Sequence, residues 1–191
     1  MSMLIDRIIK DHEHLTRLLV CLDREISKYK EGATRRPRLS VIIDALDYLH
    51  NYPDSFHHPL ESRLLAKLRP RITDSELRDK LEVIEDQHVE INQLTNNLID
   101  RFQSIQNDQI VPIDALLADY QRYADLQINH LKLENTCMIP AMQALLTKED
   151  VAAVTSALNS NPDPLFGAHL WDSYENLYQF VIGTEKEQVA V

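Results

Sequence analysis

Glycine is nearly missing from this 191-residue chain, which has three glycines, two cysteines and one tryptophan. Sheet proteins and barrels need turns at short intervals, and turns draw heavily on glycine, so this scarcity argues against them. Cys21 and Cys137 are too few for a disulfide framework, and neither stands in Cys-x-x-Cys or zinc-finger spacing. That fits a reducing compartment, and a cytoplasmic protein is expected. Long apolar runs are also lacking: the start, MSMLIDRIIKDHEH, turns charged before a leader's apolar stretch forms, and no later segment approaches a membrane span. Positive charge is in short supply. Against 30 Asp and Glu there are 20 Lys and Arg, a formal charge of −10, which makes nucleic acid and anionic membrane poor partners.

What the chain does have is apolar residues at helical spacing. With 44% hydrophobic residues it can build one domain with a sizeable core. Leu4, Ile5, Ile8, Leu15, Leu19, Leu22 and Ile26 recur every three or four positions, interrupted by His12. The stretch EGATRRPR breaks this first helix. A second runs from Leu39 to Leu68, with kinks or short breaks predicted around residues 52–59 by Pro53 and Pro59. Thr73-Asp-Ser-Glu76 has capping-box spacing and opens a third, with His88 among seam residues from Leu77 to Ile105. Pro112 suits the first turn of a fourth, which carries Ile113, Leu116, Tyr120, Tyr123, His130, Glu134, Cys137 and Ala141 on one face and is kinked at Pro140. Thr147-Lys-Glu-Asp150 looks like another capping box, starting a short helix through Leu158. The turn-rich NSNPDP then leads to a last segment over 165–182, before a frayed tail, TEKEQVAV.

Two copies of one pattern carry the chemistry: His57-x-x-x-Glu61 and His130-x-x-x-Glu134. A spacing of four stacks two side chains on one helical face, so each pair offers an imidazole and a carboxylate to one point in space. His12 and His88 sit on the apolar seams of two other helices. If the four helices alternate up and down, a rise of roughly 1.5 Å per residue puts His12, the 57–61 pair, His88 and the 130–134 pair about 12, 14, 18 and 21 Å from one end. That is close to a common layer. Four imidazoles and two carboxylates serve two metal ions if each Glu bridges, with positions left open for a small exogenous ligand. Mixed nitrogen and oxygen donors suit iron, manganese or zinc.

The stretches Asp11-His12, YPDSFHHPLE from Tyr52 to Glu61, Asp86-Gln87-His88, and His130-x-x-x-Glu134 followed by Pro140 together resemble the hemerythrin-like (HHE) cation-binding family. The resemblance covers about residues 4–146. It implies an all-α, up-down-up-down four-helix bundle around a non-haem centre of two iron ions, with manganese or zinc as substitutes. His12, His57, His88 and His130 would be terminal ligands, Glu61 and Glu134 bridges, and His58 a possible additional ligand. The oxygen-carrying hemerythrins have a second histidine four residues along the third helix, where this chain has Asn92, and Asp at five rather than Glu at four on the fourth. This ligand set is closer to the bacterial proteins implicated in nitric-oxide response and repair of iron centres. Residues 1–146 would then form the bundle, and 147–191 a C-terminal helical extension packed on it or at a homodimer interface.

Ordinary roles are expected for the other candidates. His14 neighbours Lys10, Asp11 and Arg17 at helical spacing and belongs on a solvated face; His50 reads as a satisfied core or surface histidine, and His169 as a surface one. Tyr123 and Cys137 read as core. Glu82, Glu85, Asp86 and Glu90 read as a solvated face. Three function classes follow. The first is a protein that binds oxygen, nitric oxide or peroxide for sensing, scavenging or stress response. The second is an enzyme that reduces nitric oxide or peroxide, oxidises iron or repairs iron centres. The third is a structural or interaction protein stabilised by metal.

Overall fold

In the computed structural model, residues 3–30, 35–156, 163–167, 170 and 172–189 are described. All regular structure among them is helical. Helix α1 (Met3–Ile26) buries Leu4, Ile5, Ile8, Leu15, Leu19, Leu22 and Ile26 along the predicted stripe, and Leu18 beside them. Helices α2 (Leu39–Tyr52) and α3 (His58–Leu68) are joined by a π-helical turn at Pro53–His57. Helix α4 (Ser75–Gln106) follows, and then α5 (Ile113–Leu133) and α6 (Ile139–Leu145), joined by a second π turn at Glu134–Met138. Helices α7 (Lys148–Ser156) and α8 (Glu175–Val189) complete the chain.

The two π turns share one cause. A proline inside a helix has no N–H to give, and its ring crowds the carbonyl four residues back. For Pro59 and Pro140 those carbonyls belong to Ser55 and Thr136, and both residues lie inside the π turns. There the backbone reaches five residues back instead of four: His58 N–H donates to the Pro53 carbonyl, and Ile139 N–H to that of Glu134. Each rod thus absorbs its proline by widening one turn rather than breaking. Both widened turns lie beside a His-x-x-x-Glu pair.

Capping differs from expectation in one place. Asp74, not Thr73, caps α4, its carboxylate accepting from Glu76 N–H at 2.9 Å. Thr147 and Asp150 do form the reciprocal box, with Asp150 N–H donating to Thr147 Oγ1 at 3.2 Å and Thr147 N–H to Asp150 Oδ2 at 3.0 Å. Leu158 lies outside the described residues, and the tail expected to fray continues α8 as far as Val189.

Two pairs of rods run antiparallel. Arg38 N–H donates to Glu25 Oε2 at 2.8 Å at one end of the α1 and α2–α3 pair, while Leu4, Ile5 and Ile8 meet Leu64, Leu65 and Leu68 at the other. Ion pairs Arg101–Asp119 and Arg122–Glu90, and the contact of Gln87 with His130, align α4 against α5 in the same sense. The apolar interior falls into two clusters. A larger one is built around Leu22, Leu46, Tyr48, Leu98, Phe102 and Tyr123, and a smaller one around Ile8, Leu64, Leu68, Ile84 and Met142. Between them lies a layer of buried polar side chains.

The described part of the C-terminal segment packs on its own chain: Leu165, Tyr174, Leu177 and Val181 belong to the larger cluster. The segment enters through a tight turn in which Gly167 N–H donates to the Asp163 carbonyl at 3.0 Å. A Cβ at Gly167 would lie 2.2 Å from that oxygen, so only glycine fits. His169 and Trp171 lie outside the described residues. Among the described residues, no helix is long and apolar enough to cross a membrane.

Candidate metal centre

The polar layer contains all six residues singled out by spacing. His12 comes from α1, His57 from the end of the first π turn, Glu61 from α3, His88 from α4, His130 from α5, and Glu134 from the start of the second π turn. His12, His57, Glu61, His130 and Glu134 are each 3% exposed or less, and His88 is half-buried. Every histidine turns its Nε2 toward the two carboxylates. His12 Nε2 lies 3.3 Å from Glu61 Oε1 and 3.2 Å from Glu134 Oε2. His57 Nε2 lies 3.3 Å from Glu61 Oε1, and His130 Nε2 3.2 Å from Glu134 Oε1. His88 Nε2 stands between both, 3.5 Å from Glu61 Oε2 and 3.3 Å from Glu134 Oε1.

Proximity here is not pairing. Nε2 of His57 and His130 and Oε2 of Glu61 and Glu134 are buried without an aligned hydrogen bond. Leaving a buried polar group unsatisfied costs about 1–3 kcal/mol, and more for a charged one. Four such atoms converging on one layer are what a cation would satisfy, and imidazole nitrogens with carboxylate oxygens are a donor set for iron, manganese or zinc. The residues present therefore fit a bound metal. Their donor atoms fall into two adjoining groups, each within 4.8 Å: His12, His57, Glu61 and Glu134 in one, His58, His88 and His130 in the other.

His58 thus joins the layer. Its ring stacks on His88 with centroids 4.1 Å apart, and its Nδ1 lies 3.0 Å from Asp54 Oδ1. Burial pushes its pKa down to about 4 despite the Asp54 hydrogen bond, so the ring is neutral at pH 7 with a lone pair to offer.

Three of the other imidazoles are held from behind. Nδ1 of His12 meets Asn135 Oδ1 at 2.9 Å, that of His57 meets Asp11 Oδ2 at 3.3 Å, and that of His130 meets Gln87 Oε1 at 3.2 Å. An acceptor at Nδ1 fixes the proton there and leaves the Nε2 lone pair facing the centre. Sequence reasoning missed these supports. Asp11 and Gln87 adjoin His12 and His88, yet each serves a histidine on a different helix, and no spacing along one helix signals that.

The centre attracts positive charge. Burial alone would lower the pKa of His12 and His88, but the Glu134 and Glu61 carboxylates facing their Nε2 atoms outweigh it, lifting His12 to about 10 and His88 to about 9. Burial would raise both Glu61 and Glu134, and repulsion from Glu134 would raise Glu61 further, yet the surrounding imidazoles hold Glu61 down to about 2 and Glu134 well below its usual value. Without metal, protons on His12 and His88 neutralise the carboxylate pair.

A cleft of about 530 Å³ between α3 and α4, lined by Asp54, His58, Glu85, His88 and Asn92, reaches the layer at His58 and His88. Asn92 Nδ2 donates to Asp54 Oδ2, so Asp54 fastens the mouth to both Asn92 and His58. On the opposite side His12 and His57 are sealed.

Two of the remaining expectations fail. His14 is buried rather than solvated: it stacks on Phe166 at 4.3 Å and its Nδ1 lies 3.4 Å from Asp163 Oδ2, because the C-terminal segment covers that face of α1. Cys137 is partly exposed, since the π turn rotates it off the core face. Tyr123 is core, and His50 sits half-buried 3.6 Å from Asp54 Oδ2. Glu85 and Glu90 pair with Arg69 and Arg122 on the surface.

A helical fold that gathers six His and Glu side chains in one buried layer, four of their polar atoms without a hydrogen-bond partner, has the donor set of a metal-binding protein. The chain belongs to the hemerythrin HHE cation-binding domain family, whose model matches residues 3–142 and so spans all seven donors. Membership implies a metal cofactor, typically iron. Comparisons with curated proteins and with solved structures find no match.

Proposed function

We propose that this protein is an up-down-up-down four-helix bundle, residues 1–146, holding two iron ions and binding a small ligand such as oxygen, nitric oxide or peroxide in sensing, scavenging or stress response. The carrying observation is the division of the buried donors into two groups that meet at Glu61 and Glu134. His12 and His57 would hold one ion and His88 and His130 the other, with His58 as a fifth imidazole and the two carboxylates shared. The bound metals would supply electrons and open positions for the small ligand. The chain's own residues orient the imidazoles through Asp11, Gln87 and Asn135, seal the His12 side, and leave the Asp54–Asn92 cleft as entry. Antiparallel neighbours support the topology. Residues 147–191 form the extension, covering the bundle rather than a partner in its described part. Cys21 and Cys137 are both free thiols, which supports a cytoplasmic setting.

Metal analysis of protein purified without oxygen tests this reading. About two irons per chain, falling below one in Glu61→Ala with helicity retained, is expected. A wild-type chain that refuses iron, or one that fills equally well after Glu61→Ala, would overturn it.

A further inference from the structure

Beside the centre, on the side away from the cleft, three tyrosines touch in sequence, and each hydroxyl rests on a carboxylate. Tyr52 donates to Asp11 at 3.2 Å, Tyr48 to Asp163 Oδ1 at 3.1 Å, and Tyr174 to Asp47 Oδ2 at 2.7 Å. The rings of Tyr52 and Tyr48 stack with centroids 5.4 Å apart, and those of Tyr48 and Tyr174 meet edge-on at 5.7 Å. The inner end is joined to the centre, since Asp11 also meets His57 Nδ1 at 3.3 Å. The outer end reaches water at the exposed Asp47.

Core packing alone calls for three phenylalanines. Three phenols with three aspartates, two of them buried, bring a desolvation cost that apolar rings would avoid. What phenols add is redox chemistry: a tyrosine yields an electron readily only when its proton has an acceptor at hand, and here every acceptor is already hydrogen-bonded. We propose that Tyr52, Tyr48 and Tyr174 form a proton-coupled path carrying single electrons from the surface at Asp47 to the metal centre.

The inference rests on the metal-centre reading for its inner terminus. With the centre oxidised by hydrogen peroxide, Tyr52 gives it one electron and passes the phenol proton to Asp11, leaving a neutral phenoxyl. Tyr48 then gives its electron to Tyr52; Asp11 returns its proton and Asp163 takes that of Tyr48. Tyr174 refills Tyr48 in the same way, with Asp163 returning its proton and Asp47 receiving the last. A one-electron donor such as ascorbate gives a hydrogen atom to Tyr174, and Asp47 releases its proton to water. The net change is one electron to the centre, one hydrogen atom from the donor and one proton to solvent.

Tyr-to-Phe variants keep each ring and remove each hydroxyl. In iron-loaded protein mixed with peroxide and frozen, a tyrosyl radical signal is expected in electron paramagnetic resonance. It should vanish in Tyr52→Phe and outlast the wild-type signal under ascorbate at least tenfold in Tyr48→Phe, where the surface is cut off. A parallel experiment needs no iron: in the metal-free chain, a ruthenium photo-oxidant in solution should create a radical that moves from Tyr174 inward, and Tyr48→Phe should stop it at Tyr174. A chain that binds no iron yet passes this second test loses the metal reading and keeps the path. No tyrosyl radical with either oxidant, or one unaffected by Tyr52→Phe and Tyr48→Phe, would overturn the path itself.

Discussion

At the scale of single residues, the centre depends on two carboxylates that neutral neighbours cannot satisfy. Glu134 lies within 3.3 Å of nitrogens from His12, His88 and His130, three different helices. Glu134→Ala should therefore take bound metal from about two ions to one or none, read by elemental analysis against an unchanged circular dichroism spectrum. The residues behind the imidazoles act more gently. Asp11→Asn and Gln87→Leu weaken or remove acceptors at His57 and His130 Nδ1, and loss of such a support typically lowers metal affinity about 10–100-fold. Competition with a chelator measures that drop; equal affinity in Gln87→Leu would mean that the His130 ring is fixed by packing alone. That four histidines and two glutamates would share one layer was legible from spacing, because two interrupted a seam and two formed pairs. The supports were not, since their partners lie 43 and 46 positions away in the chain.

Among the elements, proline and capping residues decided most of the local outcome. Pro59 and Pro140 forecast irregular turns, and the structure answers with two π turns, each beside a His-x-x-x-Glu pair. The type of irregularity was hidden, because a proline forbids one hydrogen bond without specifying which other bond replaces it. At α7 the reciprocal contact of Thr147 and Asp150 was written in the sequence. Thr147→Ala should cost about 1 kcal/mol, seen as a lower urea midpoint or, if α7 opens by itself, as faster amide exchange confined to residues 148–156.

For the molecule as a whole, the polar layer between two apolar clusters sets how stability responds to metal, pH and truncation. In metal-free protein, His12 and His88 have pKa values raised from 6.5 to about 10 and about 9. A raised value favours the folded state fully below pH 6.5, and that contribution is lost as pH climbs through 9 to 10. Metal-free protein should accordingly unfold at lower urea concentration at pH 10 than at pH 7, with a much smaller difference once metal replaces those protons. The C-terminal segment belongs to the same core. Leu177 is fully buried in the larger cluster, so Leu177→Ala should cost roughly 2–5 kcal/mol in a single cooperative transition. A separate, earlier transition would show that the segment folds apart from the bundle.

Composition and periodicity were enough, by themselves, to determine an all-helical chain and the six candidate ligands. Both rest on repeats within one helix, where neighbours in space are three or four residues apart. The tertiary structure alone decided that His58 joins the donors, that Asp11, Gln87 and Asn135 hold the rings from behind, and that His14 is covered. It alone brought Tyr52, Tyr48 and Tyr174 into one line. Each of these depends on which side chain of another helix, or of the C-terminal segment, arrives at a given height, and that is settled by packing across the core.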